Sequence, residues 1–203
     1  MKTIRQIRVV PLLAGLLFAL FSLAGETNQP VSPQSPYYAK SVPVPKRDVA
    51  KAKALLKEAG QPNPSFTLML PTGPENQREA EIIQSMSKEA GFDIKLQATE
   101  FARALDLSDA GNFQAFLIGW SGRTDPDGNI YLFLSCKGSQ NNGKYCNETA
   151  ENAINAARTT SDLGERLKHY QTLAEQLGKD DPIIYLFHRK WIYASTPKLK
   201  GFV

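Results

Sequence analysis

The chain has 203 residues, 42% hydrophobic and 22% charged, which is enough for one or two globular domains with a packed core. Its 14 glycines and 13 prolines are near average usage, and the absence of an internal repeat of about 20 to 50 residues excludes collagen-like, low-complexity and solenoid architectures. Lys2, Arg5 and Arg8 carry three of the four excess positive charges, and the other basic residues alternate with acids, so nucleic-acid binding is not expected.

The first segment, residues 1–25, has the three parts of an export signal. A cationic end is followed by an apolar run of 17 residues, and the small residues Ser22 and Ala24 precede Gly25 at the spacing that signal peptidase accepts. The run is slightly short for a bilayer span, which needs about 20 residues. The pattern predicts a cleaved signal peptide and an exported protein. An uncleaved membrane anchor and a mis-assigned start codon are the alternatives.

The next segment, residues 26–47, is rich in proline, which interrupts ladders and helices and predicts an extended arm. Tyr37 and Tyr38 are candidates for pinning the arm to a surface.

Helical and strand patterns then alternate through residues 48–187. The first helix begins at Asp48, whose carboxylate can cap free amides, and ends at Gly60. The later predicted elements are strand Phe66–Leu70, helix Glu75–Ala90, strand Phe92–Ala98, helix Phe101–Leu107, strand Phe113–Trp120, helices Glu148–Arg158 and Asp162–Gly178, and strands Ile183–Phe187 and Lys190–Ala194. Strands separated by helices of this length predict right-handed crossovers and an α/β fold with a mixed, mostly parallel sheet flanked by helices on both faces.

Two cysteines, Cys136 and Cys146, flank a stretch rich in glycine, serine and asparagine. In an oxidising compartment this spacing favours a structural disulfide, and two free thiols are the alternative. A zinc site does not fit, because the only histidines, His169 and His188, are not at ligand spacing and no CxxC pair exists. No metal or cofactor is therefore expected.

The best site candidate is the polar loop Ser121–Asn129, because ligands in open α/β sheets bind beyond the carboxyl ends of strands. Arg123 can donate two hydrogen bonds to a carboxylate, Asp125 and Asp127 can accept from an ammonium group, and Trp120 can cover apolar surface. The same Asp-Pro-Asp-Gly sequence is also a strong turn, in which both aspartates are structural.

Two further interpretations of this part of the chain are weak. The DxDxN spacing is also typical of the start of a calcium loop, but residue 136, where the bidentate glutamate would stand, is cysteine. No phosphate loop, GxSxG elbow, HExxH or Cys-His pair occurs, so an enzyme is not expected.

Several pieces of the chain together resemble one known family. They are Arg47–Gly60, Phe113–Tyr131, the Cys136–Cys146 loop and Asp180–Phe202. In this order they are similar to the C-terminal portion of a family 5 extracellular solute-binding protein, the peptide- and nickel-type receptor of ABC importers. The resemblance implies a type II periplasmic-binding-protein fold in which two lobes close on a peptide or related small solute. It implies that residues 48–187 form one lobe and that residues 188–203 return toward an absent first lobe.

The resemblance also carries expectations for residues and partners. Phe101 falls where the family often has an aromatic residue lining the cleft. Arg123 stands where peptide binders of the family have an aspartate for the ligand's amino group, although Asp125 could approach from the same loop. The resemblance implies a periplasmic location and an ABC permease in the inner membrane as partner. A separately encoded first lobe could complete the clamp. A chain with one wall of the clamp is expected to bind weakly or not at all. A non-functional truncated gene product and an exported envelope interaction protein remain as alternatives.

Overall fold

The computed structural model of the chain describes residues 25–189, residue 196 and residues 198–201. The predicted export signal up to Ala24 and the predicted strand Lys190–Ala194 lie outside the described residues. Within the described part of the chain, no helix is both long enough and apolar enough to cross a membrane.

Strands and helices alternate along the described residues. In chain order they are β1 (Gly25–Glu26), α1 (Val49–Glu58), β2 (Ser65–Pro71), α2 (Pro74–Lys88), β3 (Asp93–Thr99), α3 (Phe101–Asp109), β4 (Ala115–Phe116), α4 (Asp127–Leu134), α5 (Glu148–Thr159), α6 (Leu163–Asp180) and β5 (Phe187–His188). The three-stranded sheet has the order β3-β2-β4 and both pairings are parallel. The predicted α/β class with a parallel sheet and flanking helices is confirmed.

The first core lies between the sheet and helices α1 and α2. The central strand β2 is buried almost continuously from Leu68 to Pro71, as expected for a strand paired on both sides. The buried apolar residues of this core are Ala52, Leu56, Leu68, Leu70, Ala80, Ile83, Ala90, Phe92 and Ile94. Gly91 separates α2 from β3 with φ 107°, and a Cβ there would stand 2.7 Å from the Pro62 carbonyl oxygen, so the turn requires glycine.

The predicted strand Phe113–Trp120 is much shorter in the structure. Within this stretch only Ala115 and Phe116, which form β4, pair with β2, because the ladder is interrupted at both ends of β4. The Thr67 amide donates to the Gln114 side chain at 2.8 Å, which replaces a ladder bond before β4. After β4, the Leu117 amide donates to the Met69 carbonyl at 2.8 Å. The next bond of the ladder would need an N–H on Pro71, and proline has none. Residues 117–120 therefore leave the sheet and carry Trp120 beyond its edge.

The predicted strand Ile183–Phe187 is also largely wrong. The paired residues are Phe187 and His188, which run antiparallel to Glu26 and Gly25. Among the described residues, β1 and β5 pair over two residues each. Upstream of β5, Leu186 packs against the first core without joining a ladder.

The second core is built by α4, α5 and α6 together with the proline-rich segment. Its buried residues are Val31, Ile130, Leu134, Ala150, Ala153, Ile154, Ala157, Tyr170, Leu173 and Leu177. The sequence does not predict α4, since Asp-Pro-Asp-Gly indicates a turn. The turn exists, but the chain continues from it into a helix. Asp127 stabilises the first helical turn, and Ile130 and Leu134 bury one face of the helix.

The proline-rich segment does not run as an extended arm. Backbone bonds close three turns, from Ser35 to Ser32, from Tyr38 to Ser35 and from Val42 to Ala39. The buried Gln29 side chain exchanges two hydrogen bonds of 2.9 Å with the backbone of Ala39, which holds the segment in this folded form.

The predicted disulfide between Cys136 and Cys146 is confirmed and closes the loop between α4 and α5. Inside it, the buried Asn141 side chain donates to the carbonyls of Ser135 and Tyr145 and accepts from the Tyr145 amide. The loop is therefore organised by an internal polar side chain as well as by the bridge.

Candidate functional site

The carboxyl ends of β3 and β4 lie at the same edge of the sheet, because both strands are parallel to β2. Phe101 follows β3 and Trp120 follows β4, and the two outer strands are about 10 Å apart. Large apolar side chains after these strand ends are exposed by roughly a third to a half. They are Phe101, Leu105, Ile118 and Trp120, called here the edge surface.

Phe101 is positioned by the start of α3. Glu100 caps this helix, accepting hydrogen bonds from the amides of Ala102 at 3.1 Å and Arg103 at 3.0 Å. These bonds lower the pKa of the Glu100 carboxyl. Phe101 is the first residue of the helix and is 52% exposed, with Leu105 one turn later on the same face.

Trp120 is held at the start of the corner loop, which we define as residues 120–127, up to and including the first residue of α4. Its ring packs edge-on against Phe133 of α4 with 5.0 Å between the ring centroids. Its indole N–H donates to the Asn129 side-chain oxygen at 3.0 Å. These two contacts fix the ring although 43% of the residue remains exposed.

Asn129 is the main organiser of the corner loop. Its Oδ1 also accepts from the Arg123 amide at 2.7 Å, and its Nδ2 donates to the Arg123 carbonyl at 2.8 Å. One side chain on the first turn of α4 therefore fixes both the backbone of Arg123 and the indole of Trp120. The sequence alone does not predict this role of Asn129, which follows only once residues 127–134 are known to be helical.

Arg123 lies on Trp120, so the structure brings these two predicted site residues together. The guanidinium carbon is 4.8 Å from the centre of the indole ring, a cation–π contact. Nη1 donates to Ser121 Oγ at 2.9 Å and to the Gly122 carbonyl at 2.7 Å.

Asp125 is engaged by Arg166 of α6. Its two carboxylate oxygens accept from Nη2 and Nη1 at 2.9 and 3.0 Å, and its Oδ1 also accepts from the Asp127 amide. The bonds from Arg166 lower the pKa of the Asp125 carboxyl. Arg166 further donates to the hydroxyl of Tyr37, which packs edge-on against Tyr170.

Asp127 forms an ion pair with a second arginine. Arg158 of α5 places Nε 3.1 Å from Asp127 Oδ1. The same guanidinium stacks over Tyr131 at 3.8 Å from the ring centre. Both aspartates of the corner loop are therefore used inside the molecule, which favours the structural interpretation of the Asp-Pro-Asp-Gly sequence.

The five predicted ligand residues thus divide into three groups. Trp120 and Arg123 touch each other, Phe101 follows a different strand at the same edge, and Asp125 and Asp127 pair with arginines from α6 and α5. No group of three or more His, Cys, Asp or Glu residues that could hold a metal ion occurs in the part of the chain that the structure describes.

The candidate site is thus the carboxyl edge of a parallel sheet in an α/β fold, where an aromatic ring and an arginine lie in contact. Residues 17–141, more than half of the chain, match the family model described as Bacterial extracellular solute-binding proteins, family 5 Middle. The chain belongs to this family.

Individual relatives agree with the family assignment. The chain is 30% identical over 200 residues to the Di/tripeptide-binding protein 4 of Pseudomonas aeruginosa (strain UCBPP-PA14), covering 93% of this chain and 37% of the relative. It is 30% identical over 167 residues to the Dipeptide-binding protein of Escherichia coli (strain K12), covering 77% of this chain and 31% of the relative.

A solved structure, HbpA2 from Haemophilus parasuis, superimposes with a TM-score of 0.83 at 26% identity, over 93% of this chain and 40% of that one. The predicted periplasmic-binding-protein-like fold is confirmed. The chain spans about a third of the length of the two curated relatives.

Proposed function

We propose that the chain is part of the substrate-binding component of an ABC importer for peptides or related small solutes, and that the ligand lies against the edge surface. The observation that carries this proposal is the contact of Arg123 with the half-exposed Trp120 at the carboxyl edge of the sheet. An apolar platform with one fixed polar group is the usual composition of a small-molecule site. The curated relatives are named as peptide-binding proteins, which supports the same substrate class.

The proposed role is binding without chemistry. The polar side chains of the corner loop pair with one another and with α4, α5 and α6, so they hold the shape of the loop. A nucleophile activated by a neighbouring base would be the signature of a hydrolase, and the loop instead presents a guanidinium and an indole.

The proposed setting is the periplasm, reached by export through residues 1–25, either with cleavage or with retention as a membrane anchor. The partners are an inner-membrane permease and a first lobe, encoded elsewhere, that would cover the edge surface. In this arrangement residues 188–203 return toward that lobe.

Calorimetric titration of the purified chain with di- and tripeptides tests the proposal. With one wall of the clamp, the expected dissociation constants are about millimolar, since water competes for each hydrogen bond in an open site. Phe101→Ala should weaken binding. The matched control is Leu163→Ala, because Leu163 is 50% exposed but lies at the start of α6. Absence of peptide binding, or equal loss in both variants, would contradict the proposal.

The edge surface also supports a second candidate, an envelope interaction protein that uses its exposed apolar side chains to hold another protein. Affinity purification from envelope extracts separates the two functions. Recovery of an ABC permease supports the transport role, and recovery of unrelated envelope proteins supports the second. A truncated product without function would recover neither.

A further inference from the structure

The two acidic side chains of the corner loop are paired with arginines, whereas its own arginine is bonded only to neutral groups. Asp125 pairs with Arg166, whose side chain is only 14% exposed, and Asp127 pairs with Arg158. Among the described residues Arg123 has no such acid, since the groups that accept from its guanidinium are the neutral Ser121 hydroxyl and the Gly122 carbonyl. After this pairing, the charge that the loop presents to solvent is positive.

The free donors of Arg123 have a defined geometry. A guanidinium has five N–H donors, and in Arg123 Nη1 is the nitrogen occupied by the loop. Nε–H and one Nη2–H point in the same direction and form an edge that matches the two oxygens of a carboxylate. Among the residues that the structure describes, no acceptor occupies that edge.

The arginine is also positioned in advance. Gly128 makes room for its stem, since a Cβ at this position would stand 2.9 Å from Arg123 Cγ. The Asn129 side chain hydrogen-bonds both the amide and the carbonyl of Arg123, and the guanidinium lies on the Trp120 ring. Such positioning reduces the entropy that a flexible arginine loses when it binds an anion.

We propose that Arg123 and Trp120 form a receptor for a carboxylate, so that this chain selects peptides or small solutes that present an acidic group to the corner loop. The inference rests on the proposed function and specifies its ligand class. A free amino group would instead require an unpaired acid here, and both acids of the loop are already used. The carboxylate can be a peptide C-terminus or an acidic side chain, since the two have the same chemistry.

The test is an NMR titration of the ¹⁵N-labelled full chain with three probes: trialanine, trialanine amide and N-acetyl-trialanine. The readouts are the Arg123 Nε–H and Trp120 indole signals, assigned with Arg123→Gln and Trp120→Phe. Trialanine and its acetyl form should shift both signals. The amide, which lacks the carboxylate, should bind about tenfold more weakly, the effect of losing a charge-assisted pair at an exposed site.

Variants test whether Arg123 causes the preference for the acid over the amide. Arg123→Gln should remove the difference between acid and amide, and Arg123→Lys should retain part of it, since lysine keeps the charge without the fork. Arg78→Gln, a control on the exposed face of α2, should leave the preference intact. Equal binding of acid and amide, or a preference that survives Arg123→Gln, overturns the inference and leaves the proposed function standing. Binding of none of the probes refutes the proposed function and, with it, the inference.

Discussion

The link between Arg166 and Asp125 joins helix α6 to the corner loop, and we predict that it contributes measurably to folding. Arg166 is largely buried and donates to five acceptors: both Asp125 oxygens, the hydroxyls of Tyr37 and Tyr170, and the Ala157 carbonyl. Arg166→Gln removes the two charge-assisted bonds and weakens the others. We expect a loss of about 2 to 3 kcal/mol in the free energy of unfolding.

The pair itself accounts for only part of this loss. The Asp125 side chain is 56% exposed, so water can solvate its carboxylate again when Arg166 is removed. The coupling should therefore lie between the values for exposed and buried pairs, at about 1.5 kcal/mol. A double-mutant cycle with Asp125→Asn and Arg166→Gln, followed by urea unfolding at neutral pH, measures it.

The matched control is the pair of Lys95 and Asp93, which has the same 2.9 Å separation but is exposed on both sides. Its cycle should give no resolvable coupling, because water and salt screen exposed charges. Equal coupling in the two cycles, or no coupling between Arg166 and Asp125, would refute the argument that burial of the arginine makes the pair strong.

Three further predictions concern stability and the corner loop. Burial, with a smaller contribution from the neighbouring acid, raises the pKa of Asp181 to about 6. The folded chain therefore favours the protonated form, and stability falls as pH rises from about 4 to about 6. Asp181→Asn should increase the free energy of unfolding by about 1 kcal/mol above pH 6 and leave it unchanged below pH 4. This value is smaller than the full pKa shift would give, because water screens a half-buried side chain. Asn129→Ala should cost about 1 to 2 kcal/mol and displace the Trp120 indole signal, whereas Asn129→Asp, which keeps both accepted bonds, should retain the signal. Replacing Cys136 and Cys146 by serine should cost about 2 to 3 kcal/mol, the entropy of closing so short a loop.

Each of these three has a contradicting result. An increase in the free energy of unfolding from Asp181→Asn that is equal at acidic and neutral pH would mean that burial does not destabilise the charged form of Asp181. An indole signal that survives Asn129→Ala would mean that Phe133 alone holds the ring. Unfolding curves that do not change on reduction would mean that Asn141, and not the bridge, organises the loop.

Elements with strong periodicity could be predicted from the sequence. Helices α1, α2, α3, α5 and α6 and strands β2 and β3 lie within two residues of their predicted ends. Each has a repeated apolar spacing or a cap that acts locally, such as Asp48 at the start of α1 and Asn147 at the start of α5.

The length of β4 and the roles of the two aspartates could not be predicted, because they depend on residues distant in the chain. The length of β4 is set by Pro71 on the neighbouring strand, and the sequence of β4 itself contains no sign of it. The roles of Asp125 and Asp127 are set by arginines that follow them by 41 and 31 residues, so their pairing could not be read from the local turn pattern. The contact of Trp120 with Arg123 was within reach of the sequence, because both follow one strand end.

The most direct test of the account is to locate a bound peptide by photo-crosslinking. A tripeptide that carries a benzophenone side chain is irradiated with the full chain, and mass spectrometry identifies the modified residues. We expect adducts on the edge surface and the corner loop, between residues 101 and 105 and between residues 118 and 123. Adducts confined to the outer faces of α5 and α6, or adducts that a competing unlabelled peptide does not reduce, would contradict it.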